Sequence, residues 1–135
     1  MRIKNLTQHK ATEDQKLAGV EDCEGGQPEE LLTFTSIPTQ GEIWTRAKAI
    51  AHLARGYDAA MIGGFGPLLS QLEEALRMLD VRPVHAFSQR EMVEQTQPDG
   101  SVRKVAIFRH LGFVGLDGPV RPARGCTVYG TCVCP

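Results

Sequence analysis

At 135 residues, 41% hydrophobic and 23% charged, the chain has the size and balance of one globular domain able to bury a core of its own. A formal net charge of -1 and a pI near 6.4 give no bulk attraction to a polyanion, so no long nucleic acid is expected as partner, whereas a small anion needs only a few local donors. The opening MRIKNLTQHK has no apolar signal region and no stretch approaches the roughly 20 apolar residues of a membrane span, so a cytoplasmic protein with no membrane partner is expected.

RIKNL reads as a short strand, and Thr12 with Gln15 three residues later has the spacing of a capping box before a brief helix that can end at Gly19. Thr7, Gln8 and His9 therefore fall between a strand and a helix. EDCEGGQPEE, residues 21–30, is acidic and holds Gly25, Gly26 and Pro28, the composition of a surface loop. LLTFTSI is ambiguous between strand and helix. At Thr39, TQGE is a second capping-box pattern, and Ile43, Ala47, Ile50 and Ala54 recur at helical spacing until Gly56.

YDAAMIGG is apolar and too short for a helix, as a strand covered on both faces would be. Three glycines, Gly63, Gly64 and Gly66, then lead into a helix striped by Leu68, Leu69, Leu72, Leu76 and Leu79, with Pro67 suited to its first turn. VRPVHAF gives another strand and completes a βαβ unit over residues 57–87. SQREMVEQTQPDGSVRKVAIFRHLGFV holds two β-rich runs around Pro98, Asp99 and Gly100, a hairpin.

Beyond Leu116 the chain is dense in glycine and proline without periodicity. The expectation is an α/β fold with a small, largely parallel sheet of about four or five strands and a C-terminal antiparallel β-hairpin. Residues 1–116 form its single domain, and residues 117–135 a Gly/Pro/Cys-rich tail dispensable to the core. Cys126, Cys132 and Cys134 crowd that tail and Cys23 stands alone, which is neither a disulfide framework nor a paired zinc knuckle. No metal or other cofactor is expected.

Ligands of open parallel sheets collect beyond the carboxyl ends of the strands. Three such ends bring Thr7, Gln8 and His9, then Gly63, Gly64 and Gly66, then Ser88, Gln89, Arg90 and Glu91 to one rim. Hydroxyls, amides, an imidazole, a guanidinium and bare backbone donors suit phosphate and polar base edges. Each piece also has a plainer reading. The glycines serve a tight turn or an anion equally well, and they match neither G-x-G-x-x-G nor a P-loop. His9 is either a solvated loop histidine or a proton carrier, and Arg90 pairs with Glu91 or Glu94 or meets an anion. His52 and His85 read as packing residues, Glu73 and Glu74 as a solvated helix face, and neither Ser70 nor Ser88 lies in a nucleophile elbow.

MRIKNLTQHKATEDQ, AAMIGGFGPLLSQLEEAL and HAFSQREMVEQTQPDGSVRKVAIFRHLGFV together resemble a family of small, mostly uncharacterised bacterial and phage-borne proteins, over nearly residues 1–114. The strand ending in a Thr-x-His loop followed by T-x-x-Q also resembles, more distantly, the stand-alone CRISPR-associated Rossmann-fold (CARF-like) accessory proteins. That resemblance implies a Rossmann-like homodimer that binds a cyclic oligonucleotide second messenger of antiviral defence across its rim and sequesters it or cleaves it as a ring nuclease. It would assign ribose and phosphate to Thr7, Gln8, His9, Gly63, Gly64 and Ser88, with Gly66 and Gln89 beside them, and catalysis to His9 and Arg90 through the ligand's own 2′-hydroxyl. A noncatalytic α/β interaction module and a small nucleotide hydrolase stay open on the same residues.

Overall fold

The structure, a computed structural model, describes residues 1–116. The tail with Cys126, Cys132 and Cys134 lies outside the described residues. In chain order the elements are β1 (Ile3–Asn5), α1 (Glu13–Leu17), β2 (Val20–Glu21), α2 (Glu29–Leu32), α3 (Gln40–His52), β3 (Ala59–Met61), α4 (Gly66–Met78), β4 (Arg82–Thr96) and β5 (Val102–Val114). They form a mixed α/β fold around one five-stranded sheet of order β2-β1-β3-β4-β5, parallel except for the antiparallel pair β4–β5.

Local chemistry sets the helix ends. The Thr12 hydroxyl accepts from Gln15 N–H at 3.2 Å and the Gln15 side chain accepts from Thr12 N–H at 3.0 Å, a complete capping box. At α3 the Thr39 hydroxyl accepts from Glu42 N–H at 3.1 Å, which is one of the two bonds of the capping box that the TQGE spacing predicts. α4 closes differently. Asp80 N–H donates to Arg77 O and Val81 N–H to Leu76 O, the paired bonds of a Schellman motif, with Asp80 at φ 57° where glycine is usual.

The strand register puts Ala60 and Ile62 on one face, where Ile43, Ala47 and Ile50 of α3 and Leu68, Leu72 and Leu76 of α4 cover them. The opposite face is smaller: Ile3, Val20, Ala59, Met61 and Val84 pack beneath Ala11, Phe113 and Leu116. The leucine stripe is thus the main core, as its helical period requires.

Three readings change. VRPVHAF and the first half of the expected hairpin are one continuous strand of 15 residues. Only Arg82, Pro83 and Val84 pair with β3; from His85 to Thr96 the strand pairs with β5 alone, as a ribbon that leaves the sheet through a register shift at Phe87/Ser88. LLTFTSI resolves into the end of α2 and an irregular segment that bends at Thr35 and Ser36. Glu73, read as solvated, is half-buried and accepts from Arg77 while its Oε1 lies 3.2 Å from His85 Nε2.

Candidate functional site

The sheet order runs outward from β1 in one direction to β2 and in the other to β3, so the chain reverses direction of travel between β1 and β3. The crevice beyond the carboxyl ends of those two strands is where open α/β sheets accept ligands.

The loop leaving β1 is built on Asn5, which is wholly buried. Its Nδ2 donates to His9 O and Asp22 Oδ1, both at 2.8 Å, and its Oδ1 accepts from Thr7 N–H at 3.0 Å and the Thr7 hydroxyl at 2.7 Å. Both donors and both acceptor directions of the amide are used. Gln27 completes the frame by donating to Asn5 O at 2.9 Å and Thr7 O at 2.7 Å. Burial works to raise the Asp22 carboxyl pKa, but the hydrogen bonds from Asn5 and the Ala11 N–H outweigh it and hold the group below the ordinary carboxylate range. The Thr7 hydroxyl has two acceptors within the loop, Asn5 Oδ1 at 2.7 Å and His9 O at 3.1 Å, so toward a ligand its oxygen acts as an acceptor.

The turn after β3 supplies the donors. Ile62 N–H still belongs to the sheet, bonding to Val84 O at 3.0 Å, but among the described residues the N–H groups of Gly63, Gly64 and Phe65 have no backbone acceptor. They stand before the N-terminus of α4, which adds the positive end of its dipole. Gly64 has φ +123°, a conformation that side chains rarely adopt, whereas Gly63 does not need glycine for its backbone.

Two clefts meet at this turn. One, of about 600 Å³, holds His9, Lys10 and His85 along with Thr7, Thr12 and Gln15, over the apolar Met61, Ile62 and Ala86. The other, of about 670 Å³, holds the rings of Phe34 and Phe65 with Leu32, Ile37 and Pro38, and the hydroxyls of Thr33, Thr35 and Ser36. Gln8, Gly63 and Gly64 line both. The Phe34 and Phe65 rings are 5.5 Å apart, and the Arg46 guanidinium lies 4.1 Å from the Phe34 ring centre while donating to Glu30 O and Thr33 O. Arg46 thus fixes the aromatic wall from behind.

The structure therefore brings Thr7, Gln8, His9, Gly63 and Gly64 together. Gly66 opens α4 and lines neither cleft. Ser88, Gln89 and Arg90 continue β4 into the ribbon and also line neither cleft, because the strand does not end at Phe87 as VRPVHAF predicts. His85 and Lys10 take part instead, as do Phe34 and Phe65. His85 alternates with core-facing Val84, which turns it toward α4 and Glu73. Cys23 is unsuited to nucleophilic work: burial raises its thiol pKa and its Sγ lies 3.4 Å from Asn5 O. Among the described residues no group of three or more His, Cys, Asp or Glu side chains could hold a metal ion, and no helix is long and apolar enough to cross a membrane.

Residues 1–114 match the model of a family described as Uncharacterized protein MJ1673 family. No curated protein and no solved structure matches the chain.

Proposed function

The chain belongs to the MJ1673 family, whose description carries no activity, and from the rim itself we propose that this protein binds a cyclic oligonucleotide second messenger on a Rossmann-like sheet. The observation that carries the reading is the pair of clefts joined at Gln8, Gly63 and Gly64, one with two aromatic rings and the other with His9 and Lys10. A nucleotide has the same division: a flat apolar base and a charged, hydroxylated sugar-phosphate. The base would lie against Phe34 and Phe65, where stacking on aromatic rings contributes about 1–3 kcal/mol per base. The phosphate would meet the backbone donors of the glycine turn, with His9 and Lys10 beside it.

Cleavage on this rim would use the ligand's own 2′-hydroxyl. Its oxygen forms a bond to the adjacent phosphorus, the bond from phosphorus to the 5′-oxygen breaks, and a 2′,3′-cyclic phosphate results. The proton given up by the 2′-hydroxyl would be balanced by one delivered to the departing 5′-oxygen, and His9, which lines this cleft, would carry it. Lys10 would supply the charge that the CARF-like resemblance assigns to Arg90. Sequestering or opening the messenger would end a nucleotide signal of the antiviral-defence kind.

Calorimetry with cyclic tetra-adenylate, cyclic hexa-adenylate, a cyclic dinucleotide and AMP tests the reading, followed by chromatography of the incubated ligand. Saturable binding of a cyclic oligoadenylate is expected, and a linear product marks cleavage. Absence of binding by every nucleotide at high micromolar concentration would leave a noncatalytic interaction module in its place.

A further inference from the structure

From Ser88 to Thr96, β4 has one edge paired with β5, and among the described residues no strand pairs with its other edge, since the pairing of β3 stops at Val84. A long open strand edge is a template for another strand unless charge or a bulge blocks it. The two outer edges of the ribbon differ in this respect. β5 carries Arg103, Lys104 and Arg109 and no acidic residue, so no register gives it an ion pair with its own copy. β4 carries Arg90, Glu91 and Glu94 around Met92, which is 56% exposed.

We propose that the free edge of β4 pairs antiparallel with β4 of a second copy, about a two-fold axis at Met92, to form one continuous sheet of order β5-β4-β4′-β5′. The register follows from symmetry and charge. A two-fold axis normal to a sheet keeps each side chain on its own face, and directly opposed residues of antiparallel strands share a face, so the axis must pass through a residue opposed to itself. Centring on Arg90, Glu91 or Glu94 opposes like charges. Centring on Gln89 sets Ser88 against Arg90, and centring on Val93 sets Met92 against Glu94. Only Met92 places Arg90 against Glu94 of the copy, twice over, and an exposed methionine against itself.

The ribbon prepares this arrangement. Glu91 is already engaged by Arg109 at 3.2 Å, whereas among the described residues neither Arg90 nor Glu94 is in an ion pair. Glu94 lies opposite Lys104 and Arg90 opposite Phe108 across the hairpin. Pairing would extend each row across the seam, so that Glu94 sits between two cations. Opposed charges of unlike sign stabilise adjacent strands and like charges destabilise them.

This inference stands whether or not the rim binds a nucleotide. Its test is the mass of the full chain in solution, by sedimentation or light scattering over a concentration series at low and high salt. Wild type is expected as a dimer that weakens with salt. Arg90→Glu and Glu94→Arg each set like charges against each other at two places, and each is expected to raise the dimer dissociation constant at least tenfold. The double variant Arg90→Glu/Glu94→Arg should recover wild-type association. Both substitutions are at exposed positions, and circular dichroism verifies the fold of all three variants. A monomeric wild type, single variants that associate as well as wild type, or a double variant as weak as the singles overturns the proposal.

Discussion

Asn5 and Asp22 join the ends of β1 and β2 through one hydrogen bond of 2.8 Å, from Asn5 Nδ2 to Asp22 Oδ1, and the loop that brings His9 and Lys10 to their cleft hangs from that bond. The same carboxylate oxygen accepts from the Ala11 N–H at 2.9 Å, which anchors the far end of the loop. Asn5→Ala strands the groups that the amide served, so a loss of about 1–3 kcal/mol is expected, since that is the usual cost of leaving a buried polar group without its partner. Chemical denaturation reads it directly.

Acid should act through the same pair. The folded-state pKa of Asp22 lies below its ordinary value, so the group contributes stability that is fully present above the ordinary carboxylate range and is lost as pH falls through the folded value. Asp22→Asn keeps an acceptor oxygen and removes the titration. Its stability should therefore depend less steeply on pH below about 4 than that of the wild type, as followed by unfolding midpoints along a pH series.

The two glycines of the turn separate fold from function. At Gly64 a side chain would be forced into a positive φ, and Gly64→Ala should lower stability by about 1–2 kcal/mol although its Cβ has open space. At Gly63 a Cβ would meet the Thr7 methyl at 3.6 Å, an ordinary contact, yet it would stand where the two clefts join. Gly63→Ala should leave the melting temperature within error of wild type. Under the nucleotide reading it should raise the ligand Kd by tenfold or more in calorimetry.

Phe65 tests the apolar wall. It is 42% exposed, so Phe65→Ala should disturb the core little. Loss of one stacked base corresponds to about 1–3 kcal/mol, or a rise in Kd of roughly 5- to 150-fold. An unchanged affinity would move the base out of this cleft.

Asp80 offers a gain. Its φ of 57° in the Schellman turn carries a left-handed cost that glycine avoids, set against glycine's greater freedom when unfolded. Asp80→Gly should raise stability by about 0.5–1 kcal/mol, visible in the thermal midpoint.

Where sequence signals were local and periodic, they translated into structure. The Thr12 capping box, the leucine stripe of α4 and the apolar run of β3 each rest on neighbours within a turn or a strand, and each stands where the pattern predicts. β4 was misread as two pieces because alternation marks a strand only when one face is buried. Past His85 the ribbon is largely exposed on both faces, so the change from apolar to polar residues at Phe87/Ser88 looks like the end of one strand and the start of another. Asn5 and Gln27 gave no signal, since a single amide in a short strand says nothing of partners 17 and 22 residues away. Phe34 was legible as apolar, but not as an aromatic wall held by Arg46, a contact made only when α3 packs on the loop after α2.

The double duty of β4 also divides the folding of the chain in time. Its pairing with β5 turns over only at Gln97–Ser101, a local closure of the kind that hairpins make in microseconds. The pairing of β1 with β3 joins Ile3 to Ala59 and must first close a long loop, which slows sheet formation. The ribbon can therefore be zipped while its first three residues, Arg82 to Val84, still wait for β3. If β4 pairs with a second copy as proposed, the charges at Arg90 and Glu94 would select the register during that interval, before the core exists.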